Sequence, residues 1–246
     1  MPRSWFAIIF ISIVTISFNF KSNKDEEGAW EITEFSFEDY NHENATGILL
    51  LEDGYYSWAV FNKKSNEFIG TGGGKYKQGG NSVEFFVMFH SLNPDLIGKG
   101  IMFIKRGAGS KWNMESRQGI KLSIKKLKEK VEESLEGTWR ISEREQDGLM
   151  VEIPDSSRKT LKILSKSRFQ WTAFDSETGE FFGTGGGTYT LENGKYTEKI
   201  EFFSRDNTRV GASLTFDYSI KADNSQWHHS GLSSKGSSIY EIWTKE

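Results

Sequence analysis

The sequence Gly-Thr-Gly-Gly-Gly occurs twice in this chain, at Gly70–Gly74 and again at Gly183–Gly187. The residues around it recur as well, and Trp58 stands before the first copy as Trp171 stands before the second. The offset of about 113 residues is far longer than a solenoid repeat, whose period is roughly 20–50 residues. The repeated unit is therefore a whole domain, and the chain is predicted to hold two related domains in tandem.

Composition restricts the classes of function. The net charge of −3 and the 26% of charged residues provide no basic surface for nucleic acid or for an anionic membrane. Aromatic residues make up 14% of the chain, including 19 phenylalanines and 8 tryptophans, which suits β-sheets and the interiors of β-barrels. The absence of cysteine excludes disulfides and a lipid-modified N-terminal cysteine.

The N-terminus has the pattern of an export signal. A short cationic segment containing Arg3 precedes an apolar stretch, Phe6–Phe20. A stretch of about fifteen residues is shorter than the roughly 20 that a membrane-spanning helix needs. Residues 1–20 are therefore predicted to be a signal peptide of a secreted or periplasmic protein. The alternative is an uncleaved signal anchor, which would be the protein's one attachment to a membrane.

Alternating apolar residues predict strands in both repeats. Leu214, Phe216, Tyr218 and Ile220 give the clearest stripe, and Asn193-Gly194 is a strong hairpin signal. In another predicted strand, one face is expected to carry Tyr196, Glu198, Ile200 and Phe202.

The predicted fold is all-β: two small, antiparallel, up-and-down β-barrels of about eight strands each. The first domain is assigned to residues 28–126 and the second to residues 137–246, and each opens with Gly-x-Trp. Residues 127–136 are the linker. Leu127, Val131 and Leu135 have helical spacing, so a short linker helix is expected there.

The glycine runs lack the Lys-Ser/Thr that follows a phosphate-binding P-loop, and no helical pattern follows them. They stand between strands, where glycine indicates a bulge, a sharp bend or a close approach of the backbone. We therefore interpret both runs as corners of the barrels.

A family resemblance rests on an ordered series of motifs in the second repeat. These are Gly137-Thr-Trp, Phe169-x-Trp, Gly183-Thr-Gly-Gly-Gly-Thr-Tyr, Tyr196-Thr-Glu, Trp227-His-His-Ser-Gly and Tyr240-Glu-Ile-Trp. The series resembles the lipocalin-like domains of unassigned function in exported bacterial proteins, within the calycin group of β-barrels. Residues 28–130 resemble the same family less closely. The resemblance implies a barrel that holds a small apolar molecule, and it implies no established catalytic residues. No cofactor is expected.

The candidate ligand-binding residues all lie in the second repeat. They are Tyr189, Glu198, Glu201, Trp171, Trp227 and His228. Strand alternation places Glu198 and Glu201 on opposite faces, and it separates His228 from His229 in the same way. One histidine and one glutamate on each face are too few for a zinc site, so no metal site is expected. The simplest alternative is a buried hydrogen bond between one histidine and one glutamate.

Three functions are compatible with the sequence. The preferred one is an exported protein that binds a small, largely apolar ligand in the second barrel, oriented by Glu198, Tyr189 and His228. The first alternative is a non-enzymatic module with packed barrels that docks to an envelope protein. The least favoured is a lyase or isomerase with Glu/His proton transfer, since the sequence shows no nucleophile arrangement or cofactor motif.

Overall fold

The structure is a computed structural model that describes residue 24 and residues 26–36, 44–107, 109–129, 133–233 and 235–246. The predicted signal segment, residues 1–20, lies outside this part of the chain. Within it, no helix has both the length and the apolar character required to cross a membrane.

The first eight strands form a closed antiparallel barrel in which each strand pairs with the next and β8 pairs with β1. They are β1 (Gly28–Ser36), β2 (Ala45–Glu52), β3 (Tyr55–Asn62), β4 (Phe68–Gly79), β5 (Ser82–His90), β6 (Gly100–Arg106), β7 (Lys111–Ser116) and β8 (Lys121–Lys126). A short 3-10 helix, Pro94–Leu96, joins β5 to β6.

The second barrel has the same order and closes through the pairing of β17 with β9. Its strands are β9 (Gly137–Gln146), β11 (Arg158–Ser165), β12 (Arg168–Asp175), β13 (Phe181–Glu192), β14 (Lys195–Phe203), β15 (Ser213–Ile220), β16 (Gln226–Leu232) and β17 (Ser238–Lys245). Strand β10 (Leu149–Glu152) pairs with β9 as an added hairpin. The prediction of two tandem antiparallel barrels is therefore confirmed.

The glycine runs lie within β4 and β13, where the pairing with the next strand shifts register. A Cβ atom on Gly72 would lie 2.8 Å from the Trp58 indole, and one on Gly185 would lie 2.8 Å from that of Trp171. A Cβ atom on Gly74 would lie 2.0 Å from a backbone oxygen of β5, where the register shifts. Glycine is needed here because a tryptophan packs directly on the strand and the neighbouring backbone bulges toward it.

The same bulge corrects the predicted face of one residue. Tyr196 and Ile200 face the interior of the second barrel, but Phe202 packs outside it, against the first barrel. The register shifts between Gly186 and Gly187, so that Ile200 and Phe202 pair with consecutive residues of β13. The additional residue in β14 reverses the alternation of side chains beyond Ile200.

The predicted linker helix is wrong for the residues that the structure describes, since 127–129 and 133–136 are not helical and only 130–132 lie outside the description. The Leu127 amide instead donates to the Ala29 carbonyl, as a strand extension would. Leu135 is buried in the second barrel, and its carbonyl accepts a hydrogen bond from Trp139 Nε1. Tertiary contacts thus hold both ends of the linker.

The two barrels share a buried interface formed by the outer faces of equivalent strands. Phe61 stacks on Phe202 with ring centroids 5.1 Å apart, and Phe174 packs on Phe89 at 4.7 Å. Phe61 and Phe174 occupy equivalent positions in the two repeats, and so do Phe89 and Phe202. The same contact is therefore made twice, as it would be across a two-fold axis. The barrels therefore associate like the two copies of a symmetric dimer.

Candidate functional site

The first barrel contains an apolar cavity of about 60 Å³. By this measure a water molecule needs about 10–15 Å³, so the cavity has room for roughly four to six water-sized groups. Its wall is mostly aliphatic and aromatic, and it includes Leu49, Tyr56, Val87, Phe103 and Leu122. Such a wall suits a small apolar molecule.

Trp58 and His90 also line the cavity, with ring centroids 5.2 Å apart in an edge-to-face arrangement. His90 Nδ1 accepts hydrogen bonds from the amides of Leu92 and Asn93, at 3.2 and 3.0 Å. Burial lowers the pKa of His90 to about 4. His90 is therefore neutral at pH 7, and because Nδ1 is an acceptor, the proton is on Nε2.

The interior of the second barrel is filled with polar as well as aromatic side chains. Lys162 Nζ lies 2.8 Å from Glu198 Oε1, and the Tyr196 hydroxyl donates to the same oxygen at 2.8 Å. The ammonium group also lies 4.8 Å from the Trp243 ring centroid and 5.1 Å from that of Trp227. This buried ion pair, surrounded by aromatic rings, occupies the middle of the barrel.

A second polar pair lies beside it. His229 Nε2 lies 2.9 Å from Glu241 Oε2, and Trp243 Nε1 donates to that oxygen at 3.2 Å. Burial lowers the pKa of His229. Burial alone would raise the pKa of Glu241, but the His229 hydrogen bond and the charges of Lys162 and Arg144 outweigh it and lower that pKa. The pair is therefore a neutral imidazole that donates to a carboxylate.

The interior histidine is thus His229 and not His228, which was the predicted ligand-orienting residue. His228 is on the opposite face of β16, where Nδ1 lies 3.0 Å from the Tyr240 hydroxyl. It lines an open, largely polar cleft of about 720 Å³ together with Asp217 and Tyr240. The predicted separation of the two histidines is correct, but alternation alone did not show which one faces inward.

The other predicted residues take separate positions. Trp227 and Glu198 are buried in the barrel, and the Tyr189 hydroxyl accepts a hydrogen bond from the Leu135 amide at 3.1 Å. Trp171 is half-buried and packs on Phe203. Glu201 is on the outer face, where Arg168 Nη1 binds it at 2.6 Å. The structure therefore does not bring the six predicted residues together around one space.

Sequence reasoning missed His90 and Lys162. A signal for His90 was present in the repeat, because His90 stands where the second repeat has Phe203 opposite the equivalent tryptophan. Lys162 interrupts the apolar run Leu161–Leu164, and on that strand Leu161 and Ile163 face the other barrel. The alternation therefore points Lys162 inward.

Comparison with known proteins finds that part of the chain is similar to a known family. Residues 134–245 match a family described as a domain of unknown function, DUF4488. The match spans the second barrel. No protein of curated function matches the chain.

Among the solved structures similar to this chain are two mutants of the vaccine antigen transferrin binding protein B from Haemophilus parasuis. The first is 7% identical with a TM-score of 0.25, covering 85% of this chain and 67% of that chain. The second is 7% identical with a TM-score of 0.26, covering 82% of this chain and 53% of that chain. At these scores the likeness supports no conclusion about function.

Proposed function

We propose that this protein is an exported, lipocalin-like protein that binds a small, largely apolar molecule inside a barrel. The observation that carries the proposal is the apolar cavity of about 60 Å³ in the first barrel. The sequence placed the ligand in the second barrel. The ion pair between Lys162 and Glu198 fills the centre of that barrel, so the packing favours the first.

His90 supplies the polar group of the proposed site. Binding pockets are mostly apolar with a few placed polar groups that orient the ligand. His90 is a polar side chain in the wall of the cavity, so the ligand class is a small, largely apolar molecule.

Export and the membrane attachment rest on the N-terminal sequence alone. The roles of Tyr189, Glu198, Glu201, Trp171, Trp227 and His228 in binding stay a prediction. The alternative of a packed module that docks to an envelope protein is supported by the filled interior of the second barrel.

Quenching of tryptophan fluorescence tests the proposal. Dibromomethane is a small apolar molecule whose bromine atoms quench indole emission, so binding in the cavity should quench Trp58 saturably. The Trp58→Phe variant should lose the saturable component, and the matched Trp171→Phe variant should keep it. Quenching that never saturates, or that is lost in Trp171→Phe instead, would refute binding in the first barrel.

A further inference from the structure

Three carboxylates converge at the end of the first barrel that faces the second. Glu27 precedes β1, Glu52 ends β2, and Asp53 follows in the turn to β3. One oxygen of each lies within 4.8 Å of the others. Three negative charges this close repel one another unless a cation or a proton offsets them.

The second barrel fixes two of these carboxylates in place. Ser165 Oγ donates to Glu52 Oε2 at 2.7 Å, and the Thr138 amide donates to Asp53 Oδ2 at 3.2 Å. Each carboxylate keeps a second oxygen. Lys245 Nζ lies 3.5 Å from Asp53 Oδ2, which offsets part of the negative charge. The oxygens are therefore held in position before any ion binds.

A buried tyrosine lies beside the same cluster, since the Tyr76 amide donates to the carbonyl of Gly54, the residue after Asp53. Tyr76 is 5% exposed, and its hydroxyl has no hydrogen-bond partner among the described residues. Its equivalent in the second repeat, Tyr189, accepts a hydrogen bond from the Leu135 amide, next to Glu136, so the Tyr76 hydroxyl is expected beside Glu26 and Glu27. A buried polar group without a partner costs free energy, so it indicates an unseen ion or water.

At the equivalent position of the second repeat, a lysine stands in place of one of the acids. There Lys166 occupies the turn position equivalent to Asp53, with φ of 54° against 50°. Lys166 Nζ lies 2.6 Å from Glu136, the equivalent of Glu27. The hydroxyl of Tyr189, the equivalent of Tyr76, is satisfied by the Leu135 amide. In the first repeat Asp53 replaces that lysine, and the Tyr76 hydroxyl has no hydrogen-bond partner in the part of the chain that the structure describes.

We propose that Glu27, Glu52 and Asp53 form a binding site for Ca²⁺, a hard divalent cation, at the junction of the two barrels. The donors are carboxylate oxygens, which are the ligands of hard cations, and Ca²⁺ completes its coordination with waters. Tyr76 hydrogen-bonds a water on the ion. Since the ion binds residues held by Thr138 and Ser165, it stabilises the contact between the barrels.

Calorimetry with the full chain, after treatment with a chelator, tests the site. Ca²⁺ is expected to bind once per chain and to raise the melting temperature. The Glu27→Gln/Asp53→Asn double variant should bind Ca²⁺ at least about tenfold more weakly, a loss of about 1.4 kcal/mol. Glu84→Gln, which removes a carboxylate from the outer wall of the same barrel, should bind as the wild type does.

A second variant distinguishes loss of the ion site from loss of the fold. Asp53→Lys copies the turn of the second repeat, so its lysine should pair with Glu27 as Lys166 pairs with Glu136. We expect this variant to fold, to melt at or above the temperature of the chelated wild type, and to show no response to Ca²⁺. An equal response to Ca²⁺ in the wild type and in both variants, or heat with Zn²⁺ but none with Ca²⁺ up to millimolar concentration, would overturn the proposal.

Discussion

Phe61 of the first barrel stacks on Phe202 of the second, with ring centroids 5.1 Å apart and planes 29° apart. Both rings are almost fully buried, at 2% exposure each. Their repeat equivalents, Phe174 and Phe89, make the reciprocal contact at 4.7 Å. The barrels are therefore joined by a core of their own, and their stabilities should be coupled.

Truncation of this contact should destabilise both barrels. Phe61→Ala or Phe202→Ala is expected to lower the free energy of unfolding by about 3–5 kcal/mol, because each leaves a cavity in a packed interface. Denaturant unfolding, followed by fluorescence and by circular dichroism, measures the change. Phe182→Ala, at a half-buried ring on Arg158, should cost less. Equal losses of unfolding free energy in all three variants would show that the interface rings contribute no more to stability than a half-buried ring elsewhere.

The buried ion pair should respond asymmetrically to substitution. Lys162→Met leaves the Glu198 carboxylate buried without its partner and is expected to cost about 3–5 kcal/mol. The double variant Lys162→Met/Glu198→Leu removes both charges and should recover much of that loss. In the exposed pair of Lys195 and Asp217, Lys195→Met should cost less than about 1 kcal/mol. A double variant no more stable than Lys162→Met alone would contradict this account.

Stability should fall as the pH rises from about 4.5 to 8 in the presence of a chelator. The pKa of Glu52 is raised from 4.5 to about 8, so the folded state holds a proton that the unfolded state releases over this range. The contribution of this proton to the free energy of unfolding is fully present below pH 4.5. Above that pH it is lost at up to about 1.4 kcal/mol per pH unit. Glu52→Gln should flatten the curve, as measured by urea unfolding across pH. An unchanged slope in this variant would exclude Glu52 as its origin.

Stability should also fall on the acid side, through His90. Its pKa is lowered from 6.5 to about 4, so the unfolded state takes up a proton first as the pH drops through this window. The contribution of neutral His90 to the free energy of unfolding is fully present above pH 6.5 and is lost as the pH falls toward 4. His90→Phe installs the residue found at the equivalent position of the second repeat and should reduce this loss. The lowered pKa of His229 acts in the same direction and should leave a residual slope in the variant.

Local patterns were enough for much of the architecture. The repeat of Gly70–Gly74, the apolar alternation and the turn signals predicted two antiparallel barrels, which the structure confirms. Alternation also separated Glu198 from Glu201 correctly, because side chains of a strand point to opposite faces by simple geometry. The helical spacing of Leu127 and Leu135 misled, since contacts with Ala29 and Trp139 hold those ends in non-helical conformations.

The sequence by itself determined the number of domains, the strands and the separation of polar residues by face, because these follow from spacing along one strand. Tertiary structure alone decided which face is the interior and where alternation reverses, as it does at Phe202, because pairing with the glycines of β13 sets the bulge. It also decided that Lys162 meets Glu198, and that Glu27 joins Glu52 and Asp53. These partners are distant in sequence, and barrel closure and the contact between the barrels bring them together.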